Sequence, residues 1–214
     1  MWYFCSMEKI NVLYEDNHLI IVAKPAGLVM DDLAVLVKTY IKEKYNKPGN
    51  VFLGTVHQLD RNVSGVVLFA KTSKGAARLS EQFRRHTIEK VYDAQVENFE
   101  SLPERGVLIN WMMHDENKNL ASVFDEEVPH SKYAELSYKK VGDKVKIHLK
   151  TGRQHQIRAQ FAHFGHPLLG DAKYGSKKTF DDRHIELSAV SLSFITATGD
   201  EKKTIVYNGP HGSK

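Results

Sequence analysis

Apolar residues fall along this chain in two patterns, unbroken runs and alternating stretches. Residues 19–23 and 66–70 are unbroken; the first run is closed by Lys24-Pro25-Ala26-Gly27, the second opened by Gly65 and closed by Lys71. Five apolar residues with such ends predict strands covered on both faces. Alternation marks residues 89–96, where Tyr92 shares a side with Ala94 and Val96, and recurs in Ala134, Leu136 and Tyr138 and in Val145, Ile147 and Leu149. Lys144, Lys146, His148 and Lys150 occupy the opposite face of the last stretch, which predicts counter-charges beside them. Further strands are predicted over 107–112, 185–187, 192–196 and 204–207, with a turn at 102–106 and a loop at 115–119.

Helical spacing appears three times. After Asp31 or Asp32 as N-cap, Leu33, Leu36, Val37, Tyr40 and Ile41 predict a helix that runs to the loop 46–49. Ala76, Leu79 and Phe83 mark a second, whose other face carries Lys74, Arg78, Arg84 and Arg85. Ile157, Phe161 and Phe164 mark a short third, with Gly165 as its cap and Pro167 as its stop. Strands outnumber helices without regular βαβ alternation, so the expected class is α+β, a mixed, largely antiparallel central sheet with a few flanking helices. No repeat or linker divides the chain, which predicts one domain over 10–207, an N-terminal extension (1–9) and a C-terminal tail (208–214).

Composition narrows this picture modestly. With 214 residues, 42% of them hydrophobic, the chain can bury a sizeable core. A net charge of +4 and a pI near 9.0 permit an anionic partner without requiring one. Cys5 is the only cysteine, which excludes an intrachain disulfide and a cysteine-held zinc and points to a reducing, cytoplasmic compartment. The first residues are too short in apolar run for a signal peptide, and no segment reaches membrane-spanning length. Met7 is an alternative start.

Two stretches carry candidate chemistry. Residues 57–65 set Asp60 among His57, Arg61 and Ser64 at the mouth of a buried strand; the plainer role for Asp60 is to cap a turn. In 151–167 the core stripe leaves Arg153, Gln154 and Arg158 near a helix start, suited to a carboxylate or phosphate, while His155 is expected to hydrogen-bond that start. Eleven histidines allow another assembly, a metal-dependent hydrolase site of His57, Asp60, His155, His163, His166 and Asp171. Against it, Gly165 and Pro167 break the helix that would present His163 and His166 together.

Four blocks in order resemble the catalytic domain of the RluA-type pseudouridine synthases: Lys24-Pro25-Ala26-Gly27; His57-Gln58-Leu59-Asp60 through Ser64-Gly65 to Ala70-Lys71; Lys90-Val91-Tyr92; and residues 151–158 with Gly165-His166-Pro167 and Gly170-Asp171. The resemblance covers about residues 10–207. It implies that Asp60 is the catalytic acid, that Tyr92 stacks on the target base and that an arginine, Arg158 before Arg153, pairs with Asp60. The implied reaction turns a uridine of ribosomal or transfer RNA into pseudouridine, in a monomer with no metal or organic cofactor.

Asp60 must be ionised for such chemistry, and a guanidinium in contact favours that form and fixes its orientation. Substrate contacts are expected from His57, Gln58, Arg61, Arg153 and His155, and phosphate contacts from Lys24, Arg84 and Arg85. The chain departs from the family pattern at Gln58, where arginine is usual, and at Val63, where threonine is usual. Glutamine lacks the charge and the stacking plane of a guanidinium, so a preference for unpaired or weakly stacked uridines is expected. The small N-terminal S4 module of many relatives is not expected before residue 10, which leaves substrate selection to the catalytic domain or a partner. The remaining alternative is an RNA-binding protein without catalysis, which the presence of Asp60, Tyr92 and Arg158 disfavours.

Overall fold

The computed structural model describes residues 10–180, 184–196, 199 and 201–209. The N-terminal extension with Cys5 and Met7, and residues 210–214, lie outside them. Among the described residues eleven strands form one sheet: β1 (Asn11–Glu15), β2 (Leu19–Lys24), β3 (Gly54–Thr55), β4 (Ser64–Ala70), β5 (Glu89–Ala94), β6 (Arg105–Asp115), β7 (Leu120–Phe124), β8 (Lys132–Val141), β9 (Lys144–Leu149), β10 (Leu187–Ile195) and β11 (Lys202–Val206). The main path is β1-β2-β4-β10-β5-β9-β8-β6-β7, with β3 on β4 and β11 on β10. Every pairing is antiparallel except β4 with β10. This is the expected mixed, largely antiparallel sheet.

The unbroken runs became β2 and β4, each buried along its whole length because helices cover both faces. On one face Ile20, Val22, Val67 and Phe69 pack with Leu33, Val37 and Ile41 of α1 (Met30–Lys44) and with Ile157 and Phe161 of α3 (Gln156–His163). On the other, Leu19, Ile21, Val66 and Leu68 meet Leu79 and Phe83 of α2 (Ser73–Arg84). The parallel contact joins Ser64 and Gly65 to Ser188 and Ala189 at the mouth of β4. Gly65 has φ +126°, and a Cβ there would lie 2.3 Å from the Ala189 carbonyl oxygen, so only glycine lets the two backbones approach so closely.

Several expectations need correction. Asp31 and Asp32 are not caps: Val29 holds that position without a side-chain hydrogen bond, and the two acids sit in the first turn, where the helix dipole favours them. Phe164 is not core; it follows the end of α3 and is 42% exposed. The helix is instead buried around most of its surface, with Gln156, Arg158 and Gln160 satisfied by internal partners such as Asn110, to which Gln160 Nε2 donates at 2.8 Å. The loop at 115–119 is shorter, because β6 continues to Asp115 and turns into β7, an unexpected strand. The strands expected at 185–187 and 192–196 are one, β10. The counter-charges expected on β9 include Asp93, 3.7 Å from Lys146 Nζ, and Glu135, 2.9 Å from Lys150 Nζ.

Glu15 ties three elements together at the end of the sheet. Lys44 of α1 donates to it at 2.7 Å, Lys71 beyond β4 at 2.5 Å and Tyr45 at 2.9 Å. Burial opposes its charge, but these donors outweigh burial and draw its pKa from 4.5 down to about 2. A depressed carboxylate contributes stability above pH 4.5 and loses it as the pH falls through 2. In urea titrations, Glu15→Gln should cost about 1–2 kcal/mol at pH 7, allowing for the solvent around Lys44, and should flatten the acid loss between pH 4.5 and 2.

Candidate active site

A cleft of about 880 Å³ opens between the loop before β4 and the start of α3, lined in part by Gln58, Asp60, Tyr92, Arg153, His155 and Arg158. The volume suits a nucleotide-sized ligand. Asp60 lies on the loop and keeps 27% of its side chain exposed, so a ligand can reach it. The loop is clamped from behind. Gly27 N–H donates to the Arg61 carbonyl at 2.8 Å, and Arg61 Nε donates back to the Gly27 carbonyl at 2.9 Å.

Lys24 completes the clamp, and its expected phosphate contact is overturned. It is fully buried, and its ammonium donates to the carbonyls of Pro25, Leu28 and Arg61 at 2.8–3.0 Å. Burial draws its pKa down to about 8, and the charge of Asp60 works the other way. No phosphate can reach it without dismantling the turn.

Arg158 is the hub of the site. Its Nε and Nη2 donate to the two oxygens of Asp171 at 2.7 and 2.8 Å, and its Nη1 donates to Asp60 Oδ2 at 2.9 Å. Burial works against the guanidinium charge, but Asp171 and then Asp60 more than compensate, raising its pKa. Tyr174 lies under the guanidinium, 5.0 Å from ring centre to Cζ. Arg158, not Arg153, is therefore the arginine paired with Asp60. It does not offer a free anion site at the helix start, because two carboxylates occupy it.

His155 does not hydrogen-bond the helix start, contrary to expectation; it adopts a left-handed backbone there with no side-chain cap. Its Nδ1 lies 2.8 Å from the Tyr174 hydroxyl, whose oxygen accepts from Ala121 N–H at 2.8 Å. Its Nε2 faces Asp60 Oδ2 at 3.7 Å. Burial draws the His155 pKa down to about 4, against the pull of Asp60, so the ring is neutral at pH 7.

Tyr92 is 8% exposed, packed into the core and lining the cleft. Burial, and next the charge of Asp60, raise its hydroxyl pKa. His57 also lines the cleft, but its Nε2 accepts from Leu68 N–H at 2.9 Å and its ring stacks on Phe83 at 4.9 Å. Burial, and secondarily Lys90, hold it neutral with a pKa of about 3. Gln58 is exposed at the cleft mouth.

Arg84 and Arg85 are 77% and 72% exposed, pair with Glu81 and do not line the cleft. Nor do the histidines of the hydrolase assembly converge: His163 meets Asp125 at 2.9 Å and His166 faces the Glu97 carbonyl at 3.3 Å. Among the described residues, no group of three His, Cys, Asp or Glu side chains is placed to hold a metal ion. Also among them, no helix is long and apolar enough to cross a membrane.

Sequence reasoning missed Asp171 as the second partner of Arg158, and it missed Tyr174. An acid following Gly170 in a matched block was the available signal for the first; nothing pointed to the second. Asp171→Asn should destabilise the fold by about 3–5 kcal/mol in denaturant titrations, because it leaves a buried guanidinium half-paired.

Comparisons with known proteins converge on one family. A family model described as RNA pseudouridylate synthase matches residues 18–163. Ribosomal large subunit pseudouridine synthase C of Buchnera aphidicola subsp. Schizaphis graminum is 33% identical over 210 residues, covering 92% of this chain and 66% of that protein. The tRNA pseudouridine synthase C of Haemophilus ducreyi is 33% identical over 190 residues, covering 78% and 74%. The chain thus spans about two-thirds to three-quarters of these relatives. In fold it is similar to human RNA Pseudouridylate Synthase Domain Containing 1, with a TM-score of 0.77 at 22% identity over 96% of this chain and 86% of that one. The family match over most of the chain, on a sheet of the same architecture, places it in the RNA pseudouridylate synthase family, in the RluA-type branch that its motifs indicate, and makes it an isomerase.

Proposed function

We propose that this chain isomerises a uridine of ribosomal or transfer RNA to pseudouridine in the cleft, with Asp60 as catalytic carboxylate, Arg158 as its ion-pair partner and Tyr92 stacking on the base. The observation that carries the reading is the 2.9 Å contact from Arg158 to Asp60 in the cleft that Tyr92 lines. Asp171 holds the guanidinium by two bonds, so its third direction is aimed at Asp60 before any ligand arrives. The pairing fixes the orientation of the carboxylate, whether it attacks the nucleoside or removes a proton from the sugar.

In the reaction the N-glycosidic bond breaks, the uracil turns while held, and C5 joins the same ribose carbon, releasing the C5 proton. A base on Tyr92 is retained by stacking, which tolerates any face of the ring. His155, a neutral ring, places its Nε2 on the Asp60 side. Ribosomal and transfer RNA are proposed because the relatives carry those names. The single cysteine fits the cytoplasm.

RNA labelled with tritium at uridine C5 tests this directly. Wild-type protein should release the label, and Asp60→Asn should reduce release to background while its unfolding free energy stays within about 1 kcal/mol, since Asp171 still holds Arg158. Appreciable turnover by Asp60→Asn would refute the assignment, and binding without release by the wild type would favour an RNA-binding protein instead. Because Gln58 offers no guanidinium to fill a vacated stack, a loop uridine should be converted at least tenfold faster than the same sequence in a stable duplex. Equal rates would remove Gln58 from substrate choice.

A further inference from the structure

Lys90 is a cation in the cleft that the chemistry above leaves unused. It lies on β5, two residues before Tyr92 and therefore on the same face, about 7 Å along the strand. Several other basic groups of the sheet and the site have protein counter-charges: Lys146 has Asp93, Lys150 has Glu135 and Arg158 has Asp171. Among the described residues, Lys90 has no carboxylate and no hydrogen-bond partner. Two acids close by are taken: Glu89, adjacent in sequence, by Lys202 at 2.6 Å, and Glu135, which shares a surface groove with Lys90, by Lys150.

Its neighbours add positive charge. Arg153 lines the same cleft, its Nε donating to the Tyr133 carbonyl at 2.8 Å, and His86 lines it from beyond α2. Burial and then the charge of Arg153 draw the Lys90 pKa down to about 8; burial, then Lys90 and Arg153, lower that of His86. Gly152, in the turn before Arg153, keeps the space in front of the ammonium open, since a Cβ there would lie 3.0 Å from Lys90 Nζ. A partly buried cation beside an arginine, with room before it and no internal anion, is completed by an anion from outside.

We propose that Lys90 and Arg153, with His86 beside them, form a subsite for the RNA phosphodiester adjoining the nucleotide whose base rests on Tyr92. The inference rests on the reading of the cleft as an RNA site. Lys90 is the next position on the Tyr92 face of β5, a backbone step of about 7 Å comparable to the reach from a nucleobase to the phosphate of its own nucleotide. Arg84 and Arg85, the expected phosphate contacts on α2, stand outside the cleft, whereas Lys90 stands in it.

The test uses the full chain, a fluorescein-labelled single-stranded oligouridylate and C5-tritiated RNA from cells lacking the gene. Lys90→Met should weaken oligouridylate binding about tenfold at 100 mM salt and lower the slope of log affinity against log salt by about 0.7, the value for one phosphate on a single strand. Lys90→Arg should restore most of both. In tritium release the loss should fall on KM, with kcat within about threefold of wild type. Arg153→Met should weaken binding similarly, and it serves as the second probe if Lys90→Met does not fold. On oligouridylate with neutral methylphosphonate links, wild type and Lys90→Met should bind alike. Wild-type affinity and salt slope in both variants would overturn the subsite, and so would a loss confined to kcat. Failure of the wild type to release tritium would instead overturn the proposed function, leaving the binding comparison to judge the subsite separately.

Discussion

A single buried guanidinium between two carboxylates holds this site in register. Arg158 sits on a helix with hardly any solvent-facing side, and its charge would be a heavy penalty there without partners. Asp171 provides two of them from beyond the helix, and Asp60 the third from the far side of the cleft. The elements carrying these residues are far apart in sequence, 98 residues in the case of Asp60 and Arg158, so their meeting depends on the whole sheet between them. The cleft is consequently a property of the fold, not of either motif alone. Two carboxylates on one guanidinium also divide its work: the enclosed acid orients it, and the accessible one is oriented by it.

The sheet supports that arrangement through its one parallel contact. Gly65 lets β4 run against β10 immediately after the Asp60 loop, and a side chain there would collide with the Ala189 backbone. β10 in turn pairs with β5, which carries Tyr92. Asp60 and Tyr92 are thus separated by one strand, through backbone hydrogen bonds that leave little play between them.

Legibility in the sequence followed the physical signal. β2 and β4 were plain because burial on both faces leaves continuous apolar runs, and the alternating faces of β5, β8 and β9 were plain for the complementary reason. β1 and β7, at the two ends of the sheet's main path, escaped notice because their half-exposed residues show no clean alternation. α3 misled because an amphipathic stripe was assumed for a helix that is buried almost all round, which put Phe164 inside and left the burial of Gln156 and Gln160 unforeseen. In the site, Asp60, Tyr92 and Arg158 stood in recognisable blocks. The role of Asp171 depended on a contact that no local spacing encodes, and Lys24, expected at a phosphate, is instead enclosed by its own turn. Lys90 alternated correctly for a strand, but nothing local distinguishes an unpartnered cation from a solvated one.

The clamp around Lys24 bears on how the cleft accommodates ligands of different shape. One ammonium gathers carbonyls from the turn after β2 and from the Asp60 loop, so the wall formed by Gly27, Val29 and Met30 is fastened to the loop that carries the acid. Swinging that wall outward would strip a fully buried charge of its acceptors, making it the stiff jaw of the cleft. The opposite jaw, with Gly152, Arg153 and the exposed Gln154, is fastened by other means: Arg153 N–H donates to Gln156 Oε1 at 3.0 Å, Arg153 Nε to the Tyr133 carbonyl and Thr151 N–H to the Glu135 carbonyl, with Gln154 on Asn119 at the surface. The side chains left to meet ligands of different shape are therefore those at the rim, Gln58 and Gln154, and the geometry around Asp60 is preserved behind them.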